Sequence, residues 1–137
     1  MSENQTKNGA SRRRIRTSRA PAAIGPYSQA VLVNDTLYCS GQIGIDPETT
    51  HLVSDSVETE TEQILKNLGA VLKAASMNYD RVVKCSVFMT DMNDYGVINE
   101  VYARYFSEDP PARETVQVAA LPRGARVEIS CIAVKTK

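Results

Sequence analysis

Apolar residues recur at three- and four-residue steps through Val57, Ile64, Leu65, Leu68, Val71, Leu72 and Ala75, which lays one stripe along an amphipathic helix. Asp55, with Glu58 three residues on, supplies a capping pair for its start, and Ser76 to Asp80 ends it. A second stripe, Val97, Ile98, Val101, Tyr102, Tyr105 and Phe106, predicts a shorter helix entered through Asp91 to Asp94 and stopped before Pro110-Pro111. Elsewhere the pattern is that of strands. Tyr27 to Val33 and Thr36 to Ile43 are β-rich runs separated by Asn34-Asp35, two turn formers that read as a tight hairpin. In the second run strict alternation puts Leu37, Cys39, Gly41 and Ile43 on one face and Tyr38, Ser40 and Gln42 on the other. Gly44 to Ser54 reads as loop, with a short strand near Leu52-Val53. Arg81 to Met89 is strand-like, and Glu114 to Leu121 and Arg126 to Lys135 read as a second hairpin across Pro122-Arg123-Gly124.

The predicted order is β-β-α-β-α-β-β, an α+β fold with a mixed β-sheet and two helices on one face. In the last strand Val127, Ile129, Cys131 and Ala133 are expected to face the helices. Glu128, Ser130, Ile132 and Val134 then face away, and Ile132 and Val134 make that surface too apolar to leave in water. A second copy of the chain is expected to cover it, with Glu128 near the interface.

Composition removes several function classes. The 137 residues suit one domain whose core needs no disulfide or metal. Sixteen basic and sixteen acidic residues leave no net field to draw nucleic acid or an anionic membrane, and no apolar run approaches membrane-spanning length. Cys39, Cys85 and Cys131 lie among apolar neighbours and read as buried reduced thiols. With no Cys-x-x-Cys spacing and His51 the only histidine, in a polar stretch, neither a metal site nor a Cys–His nucleophile is expected.

Residues 1–18 carry Arg12-Arg13-Arg14 and Arg16 and only Ile15 as a sizeable apolar residue after Met1. They read as a disordered basic arm ahead of a domain spanning 19–137. The arm is similar in composition to a mitochondrial transit peptide, but Glu3 and the lack of an apolar helical face weigh against that. A cytoplasmic location is expected, with mitochondrial or nuclear presence left open.

Candidate chemistry centres on Pro110-Pro111-Ala112-Arg113 and on Glu128. A stiff Pro-Pro holds the arginine at the mouth of a strand, where its planar fork suits capture of a carboxylate. Glu128 at an outward strand position can act as acid, base or water-holder, although an ion pair with Arg126 or with a lysine at the interface is the plainer reading. Tyr27 after Gly25-Pro26 either starts a strand or lines a site.

The chain resembles the reactive intermediate deaminases, the RidA/YjgF/UK114 family, from about Thr17 to Lys135. The matching residues are Ala20 to Ala30, Ser40-Gly41-Gln42-Ile43, Val83-Lys84, Asn93-Asp94-Tyr95, Pro111-Ala112-Arg113, Gln117 to Pro122 and Val127-Glu128-Ile129. That resemblance implies a chorismate-mutase-like subunit in a homotrimeric barrel, with clefts between subunits and no cofactor. It implies hydrolysis of 2-imino or enamino acids, such as 2-iminobutanoate and 2-iminopropanoate, to 2-keto acids and ammonia. By resemblance Arg113 clamps the substrate carboxylate, Glu128 holds or activates water, and Tyr27 lies beside the reacting centre. Gly41, the backbone of Thr115 and Asn99 contact or border the substrate. Pro110, where relatives often carry phenylalanine, Thr115, where cysteine or alanine is frequent, and Ser130, where many have a second glutamate, depart from the pattern. They leave the arginine, glutamate and tyrosine in place. Relatives described as single-strand endoribonucleases, translation inhibitors or chaperone-like binding proteins keep a second reading open, in which the basic arm makes weak RNA contact.

Overall fold

The long apolar stripe forms α1 (Val57–Ala74), which buries Ile64, Leu65, Leu68, Val71 and Leu72. Its cap lies one residue later than expected. Ser56, rather than Asp55, is the N-cap, and the reciprocal partner is Thr59: the Thr59 N–H donates to Ser56 Oγ at 3.1 Å and the Ser56 N–H to Thr59 Oγ1 at 3.2 Å. The shorter stripe forms α2 (Tyr95–Ala103), entered through a single 3-10 turn at Met92–Asp94. The computed structural model describes residues 4–7 and 10–135.

The strands are β1 (Asn4–Lys7), β2 (Ala10–Ile15), β3 (Ala30–Val33), β4 (Thr36–Gln42), β5 (Val82–Met89), β6 (Ala112–Gln117) and β7 (Val127–Val134). They form one mixed sheet in the order β1-β2-β3-β4-β7-β5-β6, with β5 and β6 parallel and the other pairs antiparallel. Both helices pack on one face, over Leu37, Cys39, Cys85, Val87, Met89, Val127, Ile129, Cys131 and Ala133. Alternation in β7 is as expected: Val127, Ile129, Cys131 and Ala133 are buried, while Glu128, Ser130, Ile132 and Val134 lie on the open face. The Asn34-Asp35 hairpin also forms, with Asn34 in the left-handed region at φ 54° and Val33 opposite Thr36.

Three expectations are corrected. The arm is not disordered over its second half. Ala10–Ile15 forms β2, with Arg12 opposite Val33 and Ile15 opposite Ala30, and Ile15 is buried. Backbone pairing with the bare edge of β3 and one apolar anchor suffice, and composition reports neither. Of residues 1–9, only Asn4–Lys7 lie within the description, as β1 paired with β2.

The second hairpin does not exist. β6 pairs in parallel with β5, whereas β7 inserts between β4 and β5. The Pro122–Gly124 turn, with Arg123 at φ 60°, therefore carries the chain across the sheet instead of folding it back on its neighbour. A helical crossover between β5 and β6 favours parallel neighbours, so the central slot is left for the last strand.

The alternation of β4 breaks near its end. Cys39 pairs with Cys131 and Gln42 with Ile129, so Ser40 and Gly41 together oppose Ser130 in a bulge. Gln42 is thereby turned inward and buried, and Gly41 is turned out to the open face.

Candidate functional site

On the open face Glu128 stands on β7 opposite Phe88 of β5. The bulge brings Gly41 beneath it so closely that a β-carbon on Gly41 would lie 2.2 Å from Glu128 Oε2. Only glycine leaves room for the carboxylate in this position. The ion pair with Arg126 is not made. Arg126 Nε and its backbone N–H both donate to the fully buried Glu60 of α1 at 2.8 Å, and its Nη2 donates to the Ser54 carbonyl at 3.0 Å. Glu128 is left without an ion-pair partner among the described residues. Partial burial holds its carboxyl above the ordinary carboxylate range, the direction a general base requires to work near neutrality.

Tyr27 belongs to the segment ahead of β3, not to the strand. Its N–H donates to the Gly25 carbonyl at 2.9 Å, a three-residue turn closed across Pro26 with Gly25 at φ 133°. The next residues are tied to β4: the Ser40 N–H donates to the Gln29 carbonyl at 2.9 Å and Ser40 Oγ to the Ser28 carbonyl at 2.5 Å. Gln29, buried, braces the loop with its side chain. It accepts from the Thr17 N–H at 2.7 Å and donates to the Pro21 carbonyl at 2.7 Å. The Tyr27 ring stays more than half exposed and lines a cavity of about 420 Å³ with Arg12, Arg14, Pro26 and Val31.

Arg113 is on the other side of the sheet. It pairs in register with Cys85, whose side chain faces the helices. Its guanidinium Cζ lies 4.7 Å from the centroid of the Tyr102 ring and 5.7 Å from that of Tyr95, both on α2. Nη2 donates to Tyr95 Oη at 3.1 Å. Burial, with the Cys85 thiol beside it, pushes the Tyr102 phenol well above its usual range, so this ring stays neutral under the cation. Asn99 is exposed on α2, one turn beyond Tyr95 on the same stripe. Thr115 shares the face of Arg113, two residues on, and β6 is the edge of the sheet, so backbone groups on its outer side have no neighbouring strand.

The six residues singled out from sequence thus fall into two sets. Arg113 and Thr115 share one face of the edge strand β6, and Asn99 is on α2, the helix whose Tyr95 and Tyr102 meet Arg113. Glu128 and Gly41 meet on the open face, with Tyr27 in a loop hydrogen-bonded to the same bulge. One chain does not bring the arginine and the glutamate together. Sequence reading missed the Gln29 brace, the Glu60–Arg126 clamp and the two tyrosines around Arg113. The spacing of Tyr95, Asn99 and Tyr102 at i, i+4 and i+7 was the one local signal available.

The cysteines form a row across three strands, Cys39 opposite Cys131 and Cys131 opposite Cys85. All are buried, and burial pushes the Cys85 thiol up to about 11, which suits packing and not nucleophilic attack. Among the described residues no group of three His, Cys, Asp or Glu side chains is placed to hold a metal ion, and no helix is long and apolar enough to cross a membrane.

The chain is thus a small α+β protein: a mixed sheet with two helices on one face, an arginine held by aromatic rings at its edge, and on its bare side a glutamate with no ion-pair partner among the described residues. The chain belongs to the endoribonuclease L-PSP family, whose sequence model matches residues 17–135. It is 56% identical to the mouse 2-iminobutanoate/2-iminopropanoate deaminase over 124 residues, 90% of this chain and 92% of the mouse protein. The human protein of that name is 53% identical over 124 residues, 90% of each chain. A solved structure from Yersinia pestis, described as a protein of unknown function of the conserved Rid protein family, superposes with a TM-score of 0.88 at 49% identity. That match covers 90% of this chain and 98% of the other.

Proposed function

We propose that this chain is a 2-imino acid deaminase, hydrolysing 2-iminobutanoate and 2-iminopropanoate to the 2-keto acid and ammonia in clefts between the subunits of a homotrimer. One observation carries the assembly part of the reading: Arg113 and Glu128, the two residues best suited to the chemistry, stand on opposite faces of the sheet within one chain. A complete site then requires the arginine edge of one subunit to meet the open face of the next. The names of relatives above 50% identity support the substrate class.

In this reading the Arg113 fork binds the substrate carboxylate and fixes the adjacent C=N carbon against a held water. Glu128 accepts a proton as that water adds, and Tyr27 or Glu128 passes a proton to nitrogen so that ammonia leaves and the ketone forms. The protonated imine is already electrophilic, so a modest site suffices.

The test is keto-acid release from 2-aminoacrylate and 2-aminocrotonate generated by a dehydratase. Arg113→Ala and Glu128→Gln are each expected to lose about 100-fold or more in rate. Co-assembled mixtures of the two are expected to regain activity, because some clefts then receive both intact halves. Equal rates for wild type and Arg113→Ala would overturn the reading.

A second reading, cleavage of single-stranded RNA, is favoured by the family description and by Arg12 and Arg14 in the cavity beside Tyr27. It lacks a histidine pair for acid–base work, since His51 is alone and exposed in the loop between β4 and α1. RNA cleavage retained in an Arg113→Ala, Glu128→Ala double variant would assign it to a separate surface.

A further inference from the structure

Tyr95 and Tyr102 hold Arg113 in different ways. Tyr102 is buried in the core and offers the cation only its ring, whereas Tyr95 is 41% exposed and meets the guanidinium with both ring and hydroxyl. The direction of the hydrogen bond decides what Tyr95 can do. Arginine has no acceptor, so at 3.1 Å the phenolic oxygen of Tyr95 accepts from Nη2. Its own proton remains to be donated, and no protein acceptor for it exists among the described residues. A phenol polarised by a guanidinium is a stronger donor than a free one. The group able to take that proton is an anion docked on the same guanidinium. Nη2 keeps a second hydrogen, and Nη1 and Nε keep theirs, so bidentate capture is not spent on the tyrosine.

Resting on the proposed deaminase reading, we infer that Tyr95 is a substrate-binding residue, its hydroxyl donating to one oxygen of the 2-oxo or 2-imino acid carboxylate that Arg113 forks. The site would then fix the carboxylate through three donors instead of two. It would favour a free carboxylate over an amide or ester, each of which offers that donor a weaker acceptor. The contact is made equally in ground and transition states, so it acts on binding and not on the chemical step.

The test is Tyr95→Phe, which keeps the ring over Arg113 and removes only the hydroxyl. Calorimetric titration with 2-oxobutanoate, the stable keto acid, is expected to show about tenfold weaker binding, as for one lost charge-assisted hydrogen bond. For imine hydrolysis KM is expected to rise by a similar factor, with kcat within about twofold. Unchanged binding of 2-oxobutanoate would overturn the inference, as would a loss confined to kcat. Its failure is distinct from failure of the deaminase reading. A wild type that binds 2-oxobutanoate without hydrolysing imines would end that reading, while weaker binding by Tyr95→Phe would still establish the contact. A wild type that does not bind 2-oxobutanoate overturns both.

Discussion

Glu128 is kept in a state that costs stability. Its carboxyl lies over Gly41, half-buried and without an ion-pair partner among the described residues, and burial alone raises its pKa. A carboxylate raised in the folded state is penalised where it is ionised, so the destabilisation is absent at pH values below its unfolded pKa and is fully present above its folded one. A pH of 7 lies above the ordinary glutamate value, so the penalty has set in by then. Glu128→Gln is therefore expected to melt at the same or a higher temperature than wild type at pH 7. Any gain should vanish when both are acidified through the carboxylate range, as calorimetry at a series of pH values would show. A variant clearly less stable at pH 7 would mean that Glu128 has a compensating partner. The place of this residue on the outward face of β7 was legible in sequence. Its isolation was not, because the competing ion pair with Arg126 is removed by Glu60, a helix residue 66 positions away.

At the scale of the element, the bulge in β4 decides what a strand of seven residues presents. Simple alternation puts Gly41 toward the helices; two residues opposite Ser130 reverse the last turn of the pattern, burying Gln42 and exposing Gly41. Period-two reading assumes an unbroken ladder, so it was right through Cys39 and wrong after it. Gly41→Ala tests the packing directly. The added methyl meets the mobile end of a side chain, so the fold is expected to survive with a near-normal melting temperature. The Glu128 carboxylate must shift by an ångström or more, which should lower imine hydrolysis by about 100-fold. Wild-type turnover in this variant would show that the position of the carboxylate over Gly41 is unimportant. Helix α2 is the companion element. Tyr95, Asn99 and Tyr102 are spaced along one side of it, and Tyr95 and Tyr102 meet the arginine of β6, which no helical pattern announces.

For the molecule as a whole, the bare side of the sheet is the main unsatisfied feature. Register lines up Arg14, Val31, Tyr38, Ile132 and Lys84 across it, three of them apolar, and Tyr38 is half exposed. An apolar surface of this kind calls for a cover. Ile132→Lys is expected to yield a chain with native circular dichroism that sediments as a single subunit and has lost imine hydrolysis. Full activity in a demonstrated monomer would sink the shared-cleft proposal.

Local rules read from the sequence alone were enough for both helices, the first hairpin, the buried side of β7 and the family resemblance, because periodicity and turn chemistry act over a few residues. Tertiary structure decided which strand lies between which, that a basic segment joins the sheet as β2, that a bulge turns Gly41 toward Glu128, and that Arg113 and Glu128 face opposite ways. Each of these depends on backbone pairing between segments distant along the chain, and hydrogen bonds between strands leave little trace in the side chains that name a sequence.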